Sequence, residues 1–218
     1  MILIESEGPI NKFELLDSWY GEPLFHPELL RSTFWMFQSR IDPSVKLLMH
    51  CNGKKLNERA AKNFEEILFS PALNIEGDGC ERVVRYIPPN IGSGGMDNCR
   101  LRAGQLKDRR VLIWNREWNE ENQSAVHYIV DAVGDASVLI DLAFIAPKPL
   151  FLKYLPEAEQ IIQSINWIPL SQDGEWKNAG PWGLYVNGES LKSRTYSAPQ
   201  TSYNDWLVRN PCARNSQV

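Results

Sequence analysis

The sequence predicts an α+β domain in which an antiparallel sheet, built from a hairpin and a meander, packs between helices. Three observations carry this. Two β-rich runs at 33–40 and 45–51 flank a proline-containing turn, and three apolar runs between 111 and 145 are separated only by short polar turns. Two further stretches, 57–69 and 150–166, place apolar residues at helical spacing. The chain has 218 residues, of which 43% are hydrophobic and 23% charged. That is long enough to bury a core without a disulfide or metal staple, and the composition excludes collagen-like, coiled-coil and wholly disordered classes.

In chain order, Ile2–Ile4 and Phe13–Leu16 read as short strands, and Tyr20-Gly21-Glu22-Pro23 as a turn. Thr33–Arg40 and Val45–Cys51 form the hairpin around Asp42-Pro43-Ser44. Asn57 is placed to cap a helix running to Phe69, with Ala60, Phe64, Ile67 and Leu68 on its apolar stripe. Val83–Ile87 reads as a strand stopped by Pro88-Pro89, and 88–98, with Gly92 and Gly94-Gly95, as a loop. The meander comprises Val111–Trp118, Ala125–Val133 and Val138–Ile145. A second helix spans 150–166, its stripe formed by Leu152, Leu155, Ala158, Ile162 and Ile165, with Pro156 inside. Residues 1–167 thus form the domain. Residues 168–218 form an irregular extension too rich in Trp and Tyr for a disordered tail, expected to pack on the domain or a partner.

Net charge is −4, which argues against a general nucleic-acid or anionic-membrane binder. Met1–Glu7 lacks the basic and apolar regions of a secretory signal. The longest apolar stretch, Val138–Ala146, is broken by Asp141 and is shorter than the roughly 20 residues of a membrane helix. A cytoplasmic chain is therefore expected. The cysteines at 51, 80, 99 and 212 and the histidines at 26, 50 and 127 make no metal-ligand spacing, so no metal or cofactor is expected and the cysteines read as reduced and buried.

Ile91–Asp97 is neither a P-loop nor a nucleophile elbow, and reads as a surface loop able to act as a flap. Gly77-Asp78-Gly79-Cys80-Glu81 reads as a tight turn rather than an activated thiol. Five positive charges crowd 100–110, Arg109 and Arg110 among them, and offer a basic edge to an acidic partner. Eight tryptophans are a surplus, and Trp114, Arg116 and Trp118 share one strand face. Trp and Arg together are the composition of a protein-binding hot spot. The recognition surface is accordingly expected to use Trp114, Arg116, Trp118, Arg109 and Arg110, with Trp176, Trp182 and Trp206 of the extension.

The run from Gly104-Gln105 through Ile113 and Tyr128 to Phe151-Leu152-Lys153-Tyr154-Leu155-Pro156 and Ile161-Ile162-Gln163-Ser164-Ile165 resembles the PsbP-like superfamily. That group includes PsbP, the Ran-binding Mog protein, DcrB-type lipoproteins and chaperones linked to type VI secretion effectors. The resemblance covers residues 104–168 best. It implies α/β/α layers and a non-enzymatic protein-binding domain, acting as assembly factor, adaptor or chaperone, with no catalytic residues to carry over. The alternative is a hydrolase acting on a sugar-like or small polar substrate in a Trp-lined cleft, with carboxylates of the 117–141 strands, Glu117 and Asp141 among them, as acid and base.

Overall fold

A computed structural model describes residues 1–6, 8–24, 33–51, 56–70, 74–77, 80, 98–119, 122–169, 184–187 and 189–190. The strands are β1 (Ile2–Ser6), β2 (Ile10–Leu15), β3 (Trp19–Leu24), β4 (Thr33–Ser39), β5 (Lys46–Cys51), β6 (Asn74–Glu76) and β7 (Asn98–Leu106). They continue with β8 (Arg109–Trp118), β9 (Gln123–Asp131), β10 (Leu139–Pro147), β11 (Asn166–Trp167), β12 (Leu184–Val186) and β13 (Glu189–Ser190). The helices are α1 (Glu58–Leu68) and α2 (Lys148–Ser164). Among the described residues, eight strands form a sheet in the order β3-β4-β5-β10-β9-β8-β7-β6, and five form a second in the order β11-β2-β1-β12-β13.

The predicted hairpin is β4–β5, with Met36 opposite Leu48; Val45 N–H donates to Asp42 O at 3.0 Å to close its turn. The predicted meander is β8–β9–β10. Its second turn is organised by Asp131, whose Oδ1 accepts from the backbone of Gly134 at 2.8 Å and Ala136 at 3.0 Å. Asn57 caps α1, its Oδ1 accepting from Ala60 N–H at 2.9 Å.

Side chains alternate between the faces of the large sheet. Val111, Ile113, Val130, Leu142 and Phe144 point to the face covered by α2 and the second sheet. Leu101, Leu112, Trp114, Ile129 and Leu139 point to the face that receives Phe64 and Leu68 of α1. Central strands buried on both faces explain the near-continuous Val/Ile/Leu runs. Trp19 Nε1 and Ser18 Oγ donate to Glu157 Oε2 at 2.8 and 3.0 Å, tying α2 to the β2–β3 corner.

Several expectations are corrected. Residues 20–23 lie within β3, an edge strand, where a proline costs no ladder bond in the sheet interior. The basic stretch from Arg100 belongs to β7, a strand whose Cys99, Leu101 and Leu106 are buried while Arg100 and Arg102 are exposed. In α2 the buried residues are Tyr154, Ala158, Ile161 and Ile162; Leu152, placed on the stripe, is 79% exposed. The helix starts at Lys148, with Pro149 in its first turn and Pro156 carried inside. A second sheet forms from the N-terminal strands, β1 pairing with β2 on one side and with β12 on the other, Glu5 opposite Tyr185. Val83–Ile87 and the glycine loop at 91–97 lie outside the described residues. No helix among the described residues is long and apolar enough to cross a membrane.

Candidate functional site

Two places on the large sheet depart from simple packing, one on each face. The first is a buried polar row beneath the α1 side. Asp141 interrupts an apolar strand, and the alternation of β10 turns it inward, 4% exposed. Both of its oxygens lie 3.1 Å from Nδ1 of His127, itself 1% exposed. A carboxylate at that distance makes Nδ1 the protonated nitrogen and leaves Nε2 with its lone pair. Nε2 is buried and has no hydrogen-bond partner among the described residues.

The His127 ring lies against Trp114, centroids 4.9 Å apart at 32°. On the next strand positions Arg116 inserts its guanidinium between two indoles, 4.5 Å from the Trp114 centroid and 4.0 Å from that of Trp118. Burial lowers the His127 pKa, Asp141 pulls it back up, and Arg116 adds to the lowering. His50 stands opposite Asp141 on β5, and burial lowers its pKa too, against the same carboxylate's attraction.

The expected recognition residues are therefore placed as follows. Trp114, Arg116 and Trp118 do share a face, but it is an interior one, at 0%, 5% and 5% exposure. Arg109 is also internal, donating to Ala132 O at 3.2 Å and to Ile168 O, with its guanidinium 5.8 Å from the Trp167 ring. Arg110 is partly exposed and engaged by Asp131 at 2.6 Å and Glu65 at 3.6 Å. All five described tryptophans are buried. Trp176, Trp182 and Trp206 lie outside the described residues. Glu117 and Asp141 do not pair: Glu117 aligns with Ser124 and Ala146, Asp141 with Ile129 and Leu112, which are opposite faces of the sheet. Among the described residues no three His, Cys, Asp or Glu side chains converge as for a metal ion.

The second place is an open groove of about 620 Å³ on the α2 side. Its floor is the polar row Asn98–Glu117–Ser124 across β7, β8 and β9, with Arg100 and Asn115 one row further on. One wall is the first turn of α2, through Lys148, Phe151 and Leu152; the opposite rim is Glu76 at the end of β6 and Gly77 after it. Charges on the rim are paired: Arg100 with Glu76 at 3.3 Å, Lys148 with Glu117 at 3.2 Å. Asn98 Nδ2 also donates to Glu117 at 3.1 Å. Phe151 packs on Phe144, centroids 5.1 Å apart, which fixes the wall, while Leu152 projects into solvent. Sequence reasoning missed this site. The usable signal was the alternation of Arg100 and Arg102 with Cys99 and Leu101, which marks one strand with a polar face.

No protein-family model matches the chain, and no curated protein matches it in sequence. Among solved structures, cyanobacterial PsbP (CyanoP) from Synechocystis sp. PCC 6803 is similar over 77% of this chain and 94% of its own, at 8% identity and a TM-score of 0.40. LpqN of Mycobacterium tuberculosis, described as involved in cell envelope biogenesis, is similar over 76% of this chain and 92% of its own, at 12% identity and a TM-score of 0.38. The first of these structures is a PsbP, of the group that residues 104–168 resemble.

Proposed function

We propose that the chain is a non-enzymatic protein-binding domain, an adaptor or assembly factor that takes an extended segment of a partner protein in the groove between β7–β8 and the start of α2. The observation that carries the reading is the groove's composition. Leu152, 79% exposed beside the fixed ring of Phe151, supplies an apolar anchor at the wall. The floor below it offers amides and a hydroxyl, from Asn98, Asn115 and Ser124. An apolar wall over a floor of neutral donors and acceptors suits the amides and side chains of a peptide. Cations and anions on the rim already neutralise one another, which favours a peptide over a phosphate or a sugar acid.

The test is recovery from native extract at physiological salt by the full chain, beside Leu152→Asp and Arg100→Glu variants matched in circular dichroism. One protein recovered in near-equal amount by the parent chain, and about tenfold less by Leu152→Asp, supports the reading. Equal recovery by all three, or none by any, overturns it.

A further inference from the structure

Cys80 and Cys99 bracket a stretch containing Pro88-Pro89, Gly92 and Gly94-Gly95. The fold joins the two ends of that stretch at one turn. Gly77 N–H donates to Cys99 O at 2.9 Å, and Cys80 N–H donates to Gly77 O at 2.9 Å, with Gly77 at a left-handed φ of +66°. Both side chains enter the same cluster beneath α1, at 0% and 8% exposure. There Cys80 Sγ donates to Ile75 O at 3.2 Å, and Trp114 Nε1 donates to Cys99 Sγ at 3.1 Å. The two thiols are themselves hydrogen-bonded; burial first, then that bond, raises the Cys80 pKa. Two buried thiols that share a hydrogen bond, at positions tied to one turn by backbone bonds, are placed to join. Once the cluster has closed, a protonated and buried thiol is a poor nucleophile, so joining belongs to folding and not to the finished domain.

We propose that Cys80 and Cys99 are a disulfide pair, closed by thiol–disulfide exchange when the chain folds in an oxidising compartment, so that residues 81–98 become a covalently closed loop. The oxidant is a low-molecular-weight disulfide such as oxidised glutathione. One cysteine thiolate attacks a glutathione sulfur and expels a glutathione thiolate. The second cysteine attacks the resulting mixed disulfide and expels the other. Two protein thiols are oxidised, the reagent is reduced to two thiols, and the two protons lost by the cysteines end on them. This inference does not depend on the groove. It bears instead on the compartment, since a cytoplasmic chain would keep the pair reduced.

The full chain, refolded from urea with reduced and oxidised glutathione and quenched with an alkylating agent, is mapped by peptide mass spectrometry. The expected product is a Cys80–Cys99 cross-linked peptide in most molecules, with a thermal midpoint about 5–10 °C above that of the dithiothreitol-treated protein. A Cys51→Ser/Cys212→Ser double variant keeps both signals, whereas Cys99→Ser loses both. Cys80 and Cys99 recovered alkylated after oxidative refolding, or each joined to Cys51 or Cys212, overturn the proposal. Should Cys99→Ser fail to fold, the peptide map of the double variant decides by itself.

Discussion

Lowering the pH should destabilise the fold through His127, and the size of the effect follows from its surroundings. The imidazole is 1% exposed, bonded through Nδ1 to Asp141 and near the Arg116 guanidinium. Burial and Arg116 outweigh the carboxylate, so its folded pKa lies below the ordinary histidine value of 6.5. The unfolded chain then binds a proton that the folded one refuses. Stability is full above about pH 6.5 and is lost as pH falls toward the folded pKa, at about 1.4 kcal/mol per pH unit for one proton. His50 shifts in the same direction and adds to the slope. The assay is urea denaturation followed by circular dichroism at half-unit steps between pH 7.5 and 5, for the parent chain and His127→Gln. Restricting the comparison to the difference between the two curves removes the carboxylates common to both. That difference should close by up to about 1 kcal/mol between pH 6.5 and 5.5, the parent losing more. Parallel curves, or a parent chain that gains relative stability in acid, would refute the reasoning.

Gly21→Ala should lower the thermal midpoint by about 5–10 °C, since a Cβ there meets Phe37 ring carbons at 2.4 and 2.5 Å. Phe37 is fully buried and set edge-on to Phe13 at 5.5 Å, so it has nowhere to retreat; a midpoint within 1 °C of the parent contradicts that packing. Trp118→Ala should cost about 3–5 kcal/mol in urea denaturation, because the ring is a buried plate for Arg116. Partner recovery per folded molecule should then stay unchanged, and a selective loss of binding at full stability would return Trp118 to the recognition surface.

The meander was legible because its strands are buried on both faces, so Val111–Ile113 and Val138–Leu142 read as apolar runs between polar turns. That same double burial hid the site. Even spacing shows that Trp114, Arg116 and Trp118 share a face, but the spacing cannot say that α1's side covers it. β3 was obscured by Gly21 and Pro23, both tolerated because the strand is an edge. The extension of the second sheet to β12 and β13 depends on Glu5 meeting Tyr185, a contact across most of the chain that no local pattern encodes. The groove likewise needs the first turn of α2 to stand beside β7 and β8, a matter of tertiary placement and not of periodicity.

Site-specific photo-crosslinking tests the binding account most directly. A photoreactive residue is placed at Leu152, and as a control at Ile41, which is almost as exposed at 74% but lies in the β4–β5 turn. The account predicts that position 152 captures one protein through one segment of its sequence, and that Arg100→Glu weakens the capture while position 41 yields none of it. The same products from both positions, or none from position 152 in native extract, would contradict it.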